Sequence, residues 1–395
     1  MTPHYEHGGL TIYHGDCREV MAQLPANSVD AIVSDPPYGI SFMGRSWDHA
    51  VPGIDFWKAA LRVVKPGGHM CAFGGTRLYH RLMCAIEDAG WEIRDCLMWV
   101  YGGGFPKSHD VSQAIDKHFG VEREVVGTKM SGIANKDEGV RRTVGAGKSI
   151  QVDVTVPATV QAQQFAGYGT ALKPAWEPII LVRKPIEKGK TIATNVLKHG
   201  TGGLNIGDCR VGTEERYNPP SANREDNNVR FGSLGDNEFE GTTVAGRWPA
   251  NVIHDGSDEV VGCFPDSESG SGISFRTRSL PKMGGALTSD EFQCVGDKGS
   301  AARFFYSAKA QAWDRGEGNK HPTVKPRNLM RYLCKLIGGQ RGSTILDPFS
   351  GSFSTILAAH SEGFKGIGID ADIGYCEIGV ERIAELFGSV WEKLE

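Results

Sequence analysis

The chain has 395 residues, 40% of them hydrophobic and 23% charged, which is the composition of an ordinary soluble globular protein with room for one large core or two domains. Its net charge of −4 argues against nucleic-acid binding through bulk charge, although Gly270–Arg331 carries eleven Lys and Arg against five Asp and Glu. No stretch approaches the roughly 18 apolar residues of a membrane span, MTPHYEHGGL is no signal peptide, and the nine scattered cysteines never form C-x-x-C, so they read as reduced thiols of a cytoplasmic protein.

His4 and His7 have no cysteines nearby and read as a solvated tail, so no metal site is expected. Leu10–His14 then reads as a strand ending in Gly15-Asp16, followed by a short helix over 18–24 and an apolar strand over 29–33. FWKAALRVV, an amphipathic helix, stops at Pro66-Gly67-Gly68. His69–Phe73 is a strand, YHRLMCAIEDAG a helix, Ile93–Val100 a strand, and Pro178–Arg183 a strand that could pair with it. The pattern weakens over 121–165 and changes character over 187–312, where TEERYNPPSANREDNNVRFGSLGDNEFEGTTVAG is polar, turn-rich and aperiodic, as in long loops. Helix and strand signals return with NLMRYLCKLI, Ser343–Leu346 and Lys365–Asp370. The expected organisation is an α/β domain in two parts, 1–186 and 313–395, separated by the region 187–312. Trp47, Trp57 and Trp99 read as packing residues.

Two stretches carry chemistry. After the strand over 29–33 stands SDPPYG, with Asp35, Pro36, Pro37, Tyr38 and Gly39 in a row. Two consecutive prolines fix two φ angles and remove two N–H donors, leaving a stiff corner that offers carbonyl oxygens, an acid and a flat ring. Such a corner suits a planar partner with hydrogens to donate. After the strand over 343–346 stands DPFSGSFST, a glycine turn between strand and helix that admits close ligand approach. At the end of the next strand, Asp370 is placed to accept from the two hydroxyls of a ribose. A nicotinamide enzyme would want G-x-G-x-x-G in this turn, and it is absent.

SDPPYG, HPTVKP (321–326), DPFSGSFST and GID together resemble the β-group of DNA amino-methyltransferases that use S-adenosylmethionine, in the style of phage and prophage members. Asp35 precedes Asp347 by 312 positions, which is the circularly permuted motif order of that group. The RNA and protein amide methyltransferases that share D-P-P-Y have the cofactor turn first. The resemblance implies a Rossmann-like methyltransferase fold with 187–312 as an inserted target-recognition region, double-stranded DNA as partner, a flipped base, a homodimer, and a bacterial or phage-encoded protein of restriction-modification type. It implies catalysis by Asp35, Pro36, Pro37 and Tyr38, with Asp35 and the Pro36 carbonyl taking the two hydrogens of an adenine N6 and Tyr38 stacking on the base. Cofactor binding falls by the same resemblance to Asp16, Asp35, Lys325, Asp347, Pro348, Phe349, Gly351, Ser352 and Asp370, with Lys325 near the cofactor's carboxylate. Arg276, Arg278 and Lys282 are candidate DNA contacts. Cytosine N4 is the alternative target, and a catalytically silent DNA-binding homologue the alternative role. One departure stands out: where the family turn reads D-P-F-x-G-S-G-T, this chain has Phe353 for the second glycine. A phenylalanine is strained there if the position needs φ above zero, and otherwise its ring could cover the cofactor.

Overall fold

The computed structural model describes residues 2–40, 48–104, 108–131, 150–218, 242–269, 272–277, 289–294, 297–308, 314 and 324–391. The chain divides into two compact units, one of Met1–Gly102 with Trp176–Glu395 and one of Gly103–Ala175.

The larger unit is built on a ten-stranded sheet. Its strands are β1 (Tyr5–His7), β2 (Leu10–His14), β3 (Ala31–Ser34), β4 (His69–Phe73), β5 (Glu92–Val100), β6 (Trp176–Arg183), β7 (Val252–His254), β8 (Tyr306–Ser307), β9 (Thr344–Asp347) and β10 (Lys365–Asp370). They lie in the order β1-β2-β10-β9-β3-β4-β6-β5-β7-β8. From β2 to β8 every strand runs in one direction except β6, which is antiparallel to both β4 and β5. Its helices include α1 (Cys17–Gln23), α2 (Ile54–Val63), α3 (Tyr79–Asp88), α4 (Arg327–Ile337), α5 (Ser354–Ser361) and α6 (Ile373–Trp391), besides Ile192–His199 and Asp258–Val261.

Strand alternation explains why both faces are covered. Ala31, Val33, Cys71, Phe73, Ile179, Leu181 and Ile345 share one core with Leu329, Leu333 and Ile337 of α4. Their neighbours Ile32, Met70, Ala72, Ile180, Val182 and Leu346 point the other way, into a core with Trp57, Ala60 and Val63 of α2 and Leu82 and Ile86 of α3. The result is the three-layer α/β fold of Rossmann type. Trp57 and Trp99 are buried as expected, and Trp47 lies outside the described residues.

Several expectations need revision. The N-terminal segment is a strand at the sheet edge and not a tail, although His4 and His7 are exposed as expected, with the His7 ring 4.4 Å from that of Phe387 of α6 between centroids. The smaller unit is wider than the 121–165 segment. It holds helices Val111–Phe119 and Val160–Gln164 and an antiparallel pair, Val125–Ser131 with Ile150–Thr155. Within it the Asp116 carboxylate accepts from the N–H groups of Ala158 and Thr159 and from the Thr159 hydroxyl. The 187–312 region is not all loop. It supplies β7 and β8, of three and two residues, too short to leave a periodic signal. It also holds the ribbons Val211–Asn218 with Thr242–Arg247 and Gly272–Thr277 with Ser289–Cys294, whose ladders need no apolar face.

Phe353 caps α5 with φ 61° and ψ 24°, so the position does need the left-handed region. Its ring does not cover a cofactor. It is fully buried with Leu10, Ile12, Ile356, Leu357, Cys376 and Ile383. Two glycines make room for it: a Cβ on Gly368 of β10 would come within 2.6 Å of the ring, and one on Gly379 of α6 within 2.4 Å. Left-handed backbone costs a non-glycine residue about 1–2 kcal/mol, while burying a phenylalanine side chain stabilises by about 1.5–3 kcal/mol, so the exchange favours the ring. Phe353→Ala keeps the strain and loses the ring, and is expected to destabilise by about 3–5 kcal/mol in denaturant unfolding. Phe353→Gly also relieves the backbone and should be about 1 kcal/mol more stable than the alanine variant. Equal stability of the two variants would contradict this account.

Candidate active site

Succession along the sheet reverses between β9 and β3. The chain steps from β3 to β4 on one side and from β9 to β10 on the other. Ligands of open parallel sheets bind at the carboxyl ends of the strands flanking such a point. Four acids stand along that edge: Asp16 after β2, Asp370 at the end of β10, Asp347 at the end of β9 and Asp35 after β3. Three strand spacings separate the outer two, about 14 Å, the reach of an extended nucleoside with an amino-acid tail.

The junction itself is polar and buried. β9 pairs with β3 through Ile345↔Ala31 and Leu346↔Ile32. Just beyond, the Ser34 hydroxyl donates to Asp347 Oδ1 at 2.7 Å, the Phe349 N–H donates to the same oxygen at 3.1 Å, and the Thr355 hydroxyl donates to Oδ2. Asp347 is 1% exposed, and burial raises its pKa to about 7 against the pull of those three donors. Its carboxylate therefore ties the first motif to the second and organises the turn from within.

Beyond Asp347 the turn is held to β10. The Ser350 hydroxyl donates to the Asp347 carbonyl and accepts from the Ile369 N–H, and the Gly351 N–H donates to Asp370 Oδ2 at 2.7 Å. Gly351 has φ 52°, and its lack of a side chain leaves the backbone approachable. Phe349 packs near Phe56 and Trp57 at 5.7 and 6.1 Å between centroids. Ser352 is buried, with its hydroxyl 3.3 Å from that of Ser354 and its carbonyl accepting from Arg382. Asp370 Oδ1 accepts from the Asp372 N–H, and burial raises its pKa to about 6. Asp16 caps α1 and is paired with Arg18, whose hydrogen bonds hold the carboxyl below its usual range.

The SDPPYG corner is fixed from behind. Asp48 Oδ1 accepts from the N–H groups of Tyr38 and Gly39 at 2.7 and 2.8 Å. Gly39 has φ 70°, and a Cβ there would sit 2.9 Å from the Val51 nitrogen. Pro36 is buried, Asp35 and Tyr38 partly so. The Tyr38 hydroxyl lies 2.7 Å from Asp35 Oδ1, 3.1 Å from Glu177 Oε2 and 3.0 Å from Lys325 Nζ. With one proton it accepts from the ammonium and donates to the nearer carboxylate, Asp35. Burial raises its pKa well above the usual phenol value, and the two carboxylates raise it further.

Lys325 stands at this corner, against Asp35. Its ammonium is 3.0 Å from Asp35 Oδ2 and 2.9 Å from Glu177 Oε2, and it lies 4.8 Å from the Phe73 ring centroid. Burial opposes its charge, but Asp35 and Glu177 outweigh burial, and its pKa is raised. Glu177, Asp48, Ser34 and Thr355 were not among the sequence candidates. Glu177 precedes Pro178 at the start of β6, and only the reversed direction of that strand brings its beginning to the edge where its neighbours end. Arg276 lies on the strand Gly272–Thr277, in register with Asp290. Arg278, Lys282 and His321–Thr323 of HPTVKP lie outside the described residues. Among the described residues no group of three His, Cys, Asp or Glu could hold a metal ion, and no helix is long and apolar enough to cross a membrane.

The chain is similar to known proteins in sequence and in fold. Residues 29–381 match the sequence model of the DNA methylase family. Over 416 aligned residues the chain is 24% identical to the type II methyltransferase M.HindIII of Haemophilus influenzae, covering 94% of each chain. It is 39% identical over 67 residues to the DNA adenine methyltransferase YhdJ of Escherichia coli, covering 17% of this chain and 22% of that one. Among solved structures, the M1.HpyAVI–SAM complex is similar at TM-score 0.38 and 16% identity, covering 94% of this chain and 98% of that one. The cytosine-N4-specific PvuII DNA methyltransferase is similar at TM-score 0.43 and 12% identity, covering 96% of this chain and 87% of that one.

The raised pKa of Asp347 has a sign that can be tested. A carboxyl that binds its proton more tightly folded than unfolded contributes stability that is fully present below its unfolded pKa, near 3.8, and is lost as pH rises through about 7. Asp347→Asn cannot ionise and escapes that loss. In denaturant unfolding between pH 4 and 8, the stability of the variant relative to the unsubstituted protein should improve with pH by on the order of 2–4 kcal/mol. Parallel stability curves across that range would contradict the assignment.

Proposed function

The chain belongs to the DNA methylase family, and from that premise we propose that it transfers a methyl group from S-adenosylmethionine to the exocyclic N6 of an adenine flipped out of duplex DNA. The observation that carries the reading is the pairing of β3 with β9, which sets the SDPPYG corner beside the glycine turn at the reversal point of the sheet. The residues fit such a donor: Gly351 leaves the turn's backbone open, Asp370 stands at the end of β10, and the row of acids runs about 14 Å. When bound, S-adenosylmethionine supplies an electrophilic methyl group on a sulfonium.

The lone pair of an adenine amine is delocalised into the ring, so the amine is a poor nucleophile until its hydrogens are held. Asp35 accepts one N–H, the Pro36 carbonyl accepts the other, and the nitrogen is drawn toward tetrahedral geometry. Pro37 keeps Pro36 extended and its carbonyl aimed. The Tyr38 hydroxyl, which donates to Asp35 Oδ1, yields that oxygen to the amine, and its ring offers a stacking face worth on the order of 1–3 kcal/mol. Positive charge that develops on the nitrogen meets the Asp35 carboxylate, and the surplus proton passes from the nitrogen to solvent once the methyl group has moved. Extrusion of the base is needed because the amine of a paired adenine is held inside the duplex stack.

Adenine is favoured because an aspartate opens the motif and because the relative matched over 67 residues is a DNA adenine methyltransferase. Target recognition is assigned to 187–312. The test is to incubate the protein with unmethylated genomic DNA and S-adenosylmethionine and to analyse the nucleosides by mass spectrometry. N6-methyladenine is expected, reduced by at least on the order of a hundredfold in Asp35→Ala. N4-methylcytosine would keep the mechanism and replace the base, whereas no methylated base would overturn the reading.

A further inference from the structure

We propose that Glu177 is a positioning residue for methyl transfer, dividing the charge of Lys325 so that Asp35 keeps a net negative field toward the amine. The inference rests on the reading of Asp35 as the acceptor of the target amine.

Three charged groups meet at the corner. Lys325 Nζ lies between Asp35 Oδ2 at 3.0 Å and Glu177 Oε2 at 2.9 Å, with side-chain exposures of 11%, 24% and 19%. One cation between two carboxylates leaves the cluster at a net −1, beside the position where the amine becomes positive. Were Glu177 neutral, the whole ammonium charge would fall on Asp35. The acceptor would then be an ion pair of no net charge, poorly suited to stabilise a developing cation.

Glu177 also fixes the geometry of its partners. Its Oε2 is 3.1 Å from the Tyr38 hydroxyl, so the tyrosine has a second carboxylate to turn to when the amine takes its place on Asp35. Tyr101, just beyond the end of β5, feels the Glu177 charge, and burial first and then that charge raise its pKa to about 12, which keeps the phenol neutral. The carboxylate sits at the start of β6, where Glu177 is in register with Trp99 on β5. It is therefore carried by the centre of the sheet and not by a mobile side loop.

A residue that merely supports the fold and one that balances charge predict different double variants. Glu177→Gln is close to isosteric and leaves the cluster neutral, and Lys325→Met leaves it at −2. The combination E177Q/K325M restores −1. Each protein is checked for an unchanged thermal unfolding midpoint. Then kcat and the KM for S-adenosylmethionine are measured by transfer of labelled methyl groups into saturating unmethylated genomic DNA. Glu177→Gln is expected to lower kcat by on the order of tenfold to a hundredfold with KM within about twofold. The double variant should recover at least about fivefold in kcat over Glu177→Gln alone. An unchanged kcat in Glu177→Gln, or a double variant no faster than it, overturns the proposal while leaving the methyltransferase reading intact. No transfer by the unsubstituted protein would overturn that reading, and this inference with it.

Discussion

The molecule depends on one contact between distant parts of the chain: the parallel pairing of β3 with β9 and the buried hydrogen bond from Ser34 to Asp347 that closes its end. Neither half carries both motifs without the other. The first brings an acid and two prolines at the end of β3, and the second brings a glycine turn at the end of β9. A parallel pair has no hairpin to fix its register, so the alternation of buried residues on the two faces has to do it. A slip by one residue would exchange Ala31 and Val33 with Ile32 between the two cores and carry Ser34 away from Asp347. The site and the core are thus specified by the same register.

Burying Asp347 at this junction is costly, and the structure offsets the cost with three donors around one carboxylate. The same economy of placement governs Asp48, which holds two successive N–H groups of the SDPPYG corner. A corner with two prolines has few backbone donors to tie it down, so those of Tyr38 and Gly39 carry its position. Phe353 shows the reverse exchange. Strained backbone is kept because the ring fills a space that Gly368 and Gly379 leave open. Where a glycine would serve conformation alone, the phenylalanine joins α5, β10 and α6 in one small core.

Much of this was legible in the residues. The alternation of apolar runs and amphipathic helices marked β2, β3, β4, β5, β6, β9 and β10 to within a few residues, and the two motifs marked the ends of β3 and β9. Three things were not legible, each for a physical reason. β7 and β8 are too short to carry a period, so their region read as loop. The placement of Lys325 depends on Glu177, and a lone glutamate at a strand start has no local signature; the direction of β6 makes it part of the site. The answer to Phe353 lay in two glycines, 15 and 26 positions further along, that touch it only in three dimensions.

The central claim is that one cofactor site is assembled from segments 312 positions apart, around Asp35 and Asp347. The most direct measurement is amide hydrogen exchange by mass spectrometry with and without S-adenosylmethionine. The account predicts that the cofactor slows exchange together in peptides spanning 347–353 and 34–39, at the same concentration dependence. Protection confined to one of these segments, or appearing only elsewhere in the chain, would contradict it.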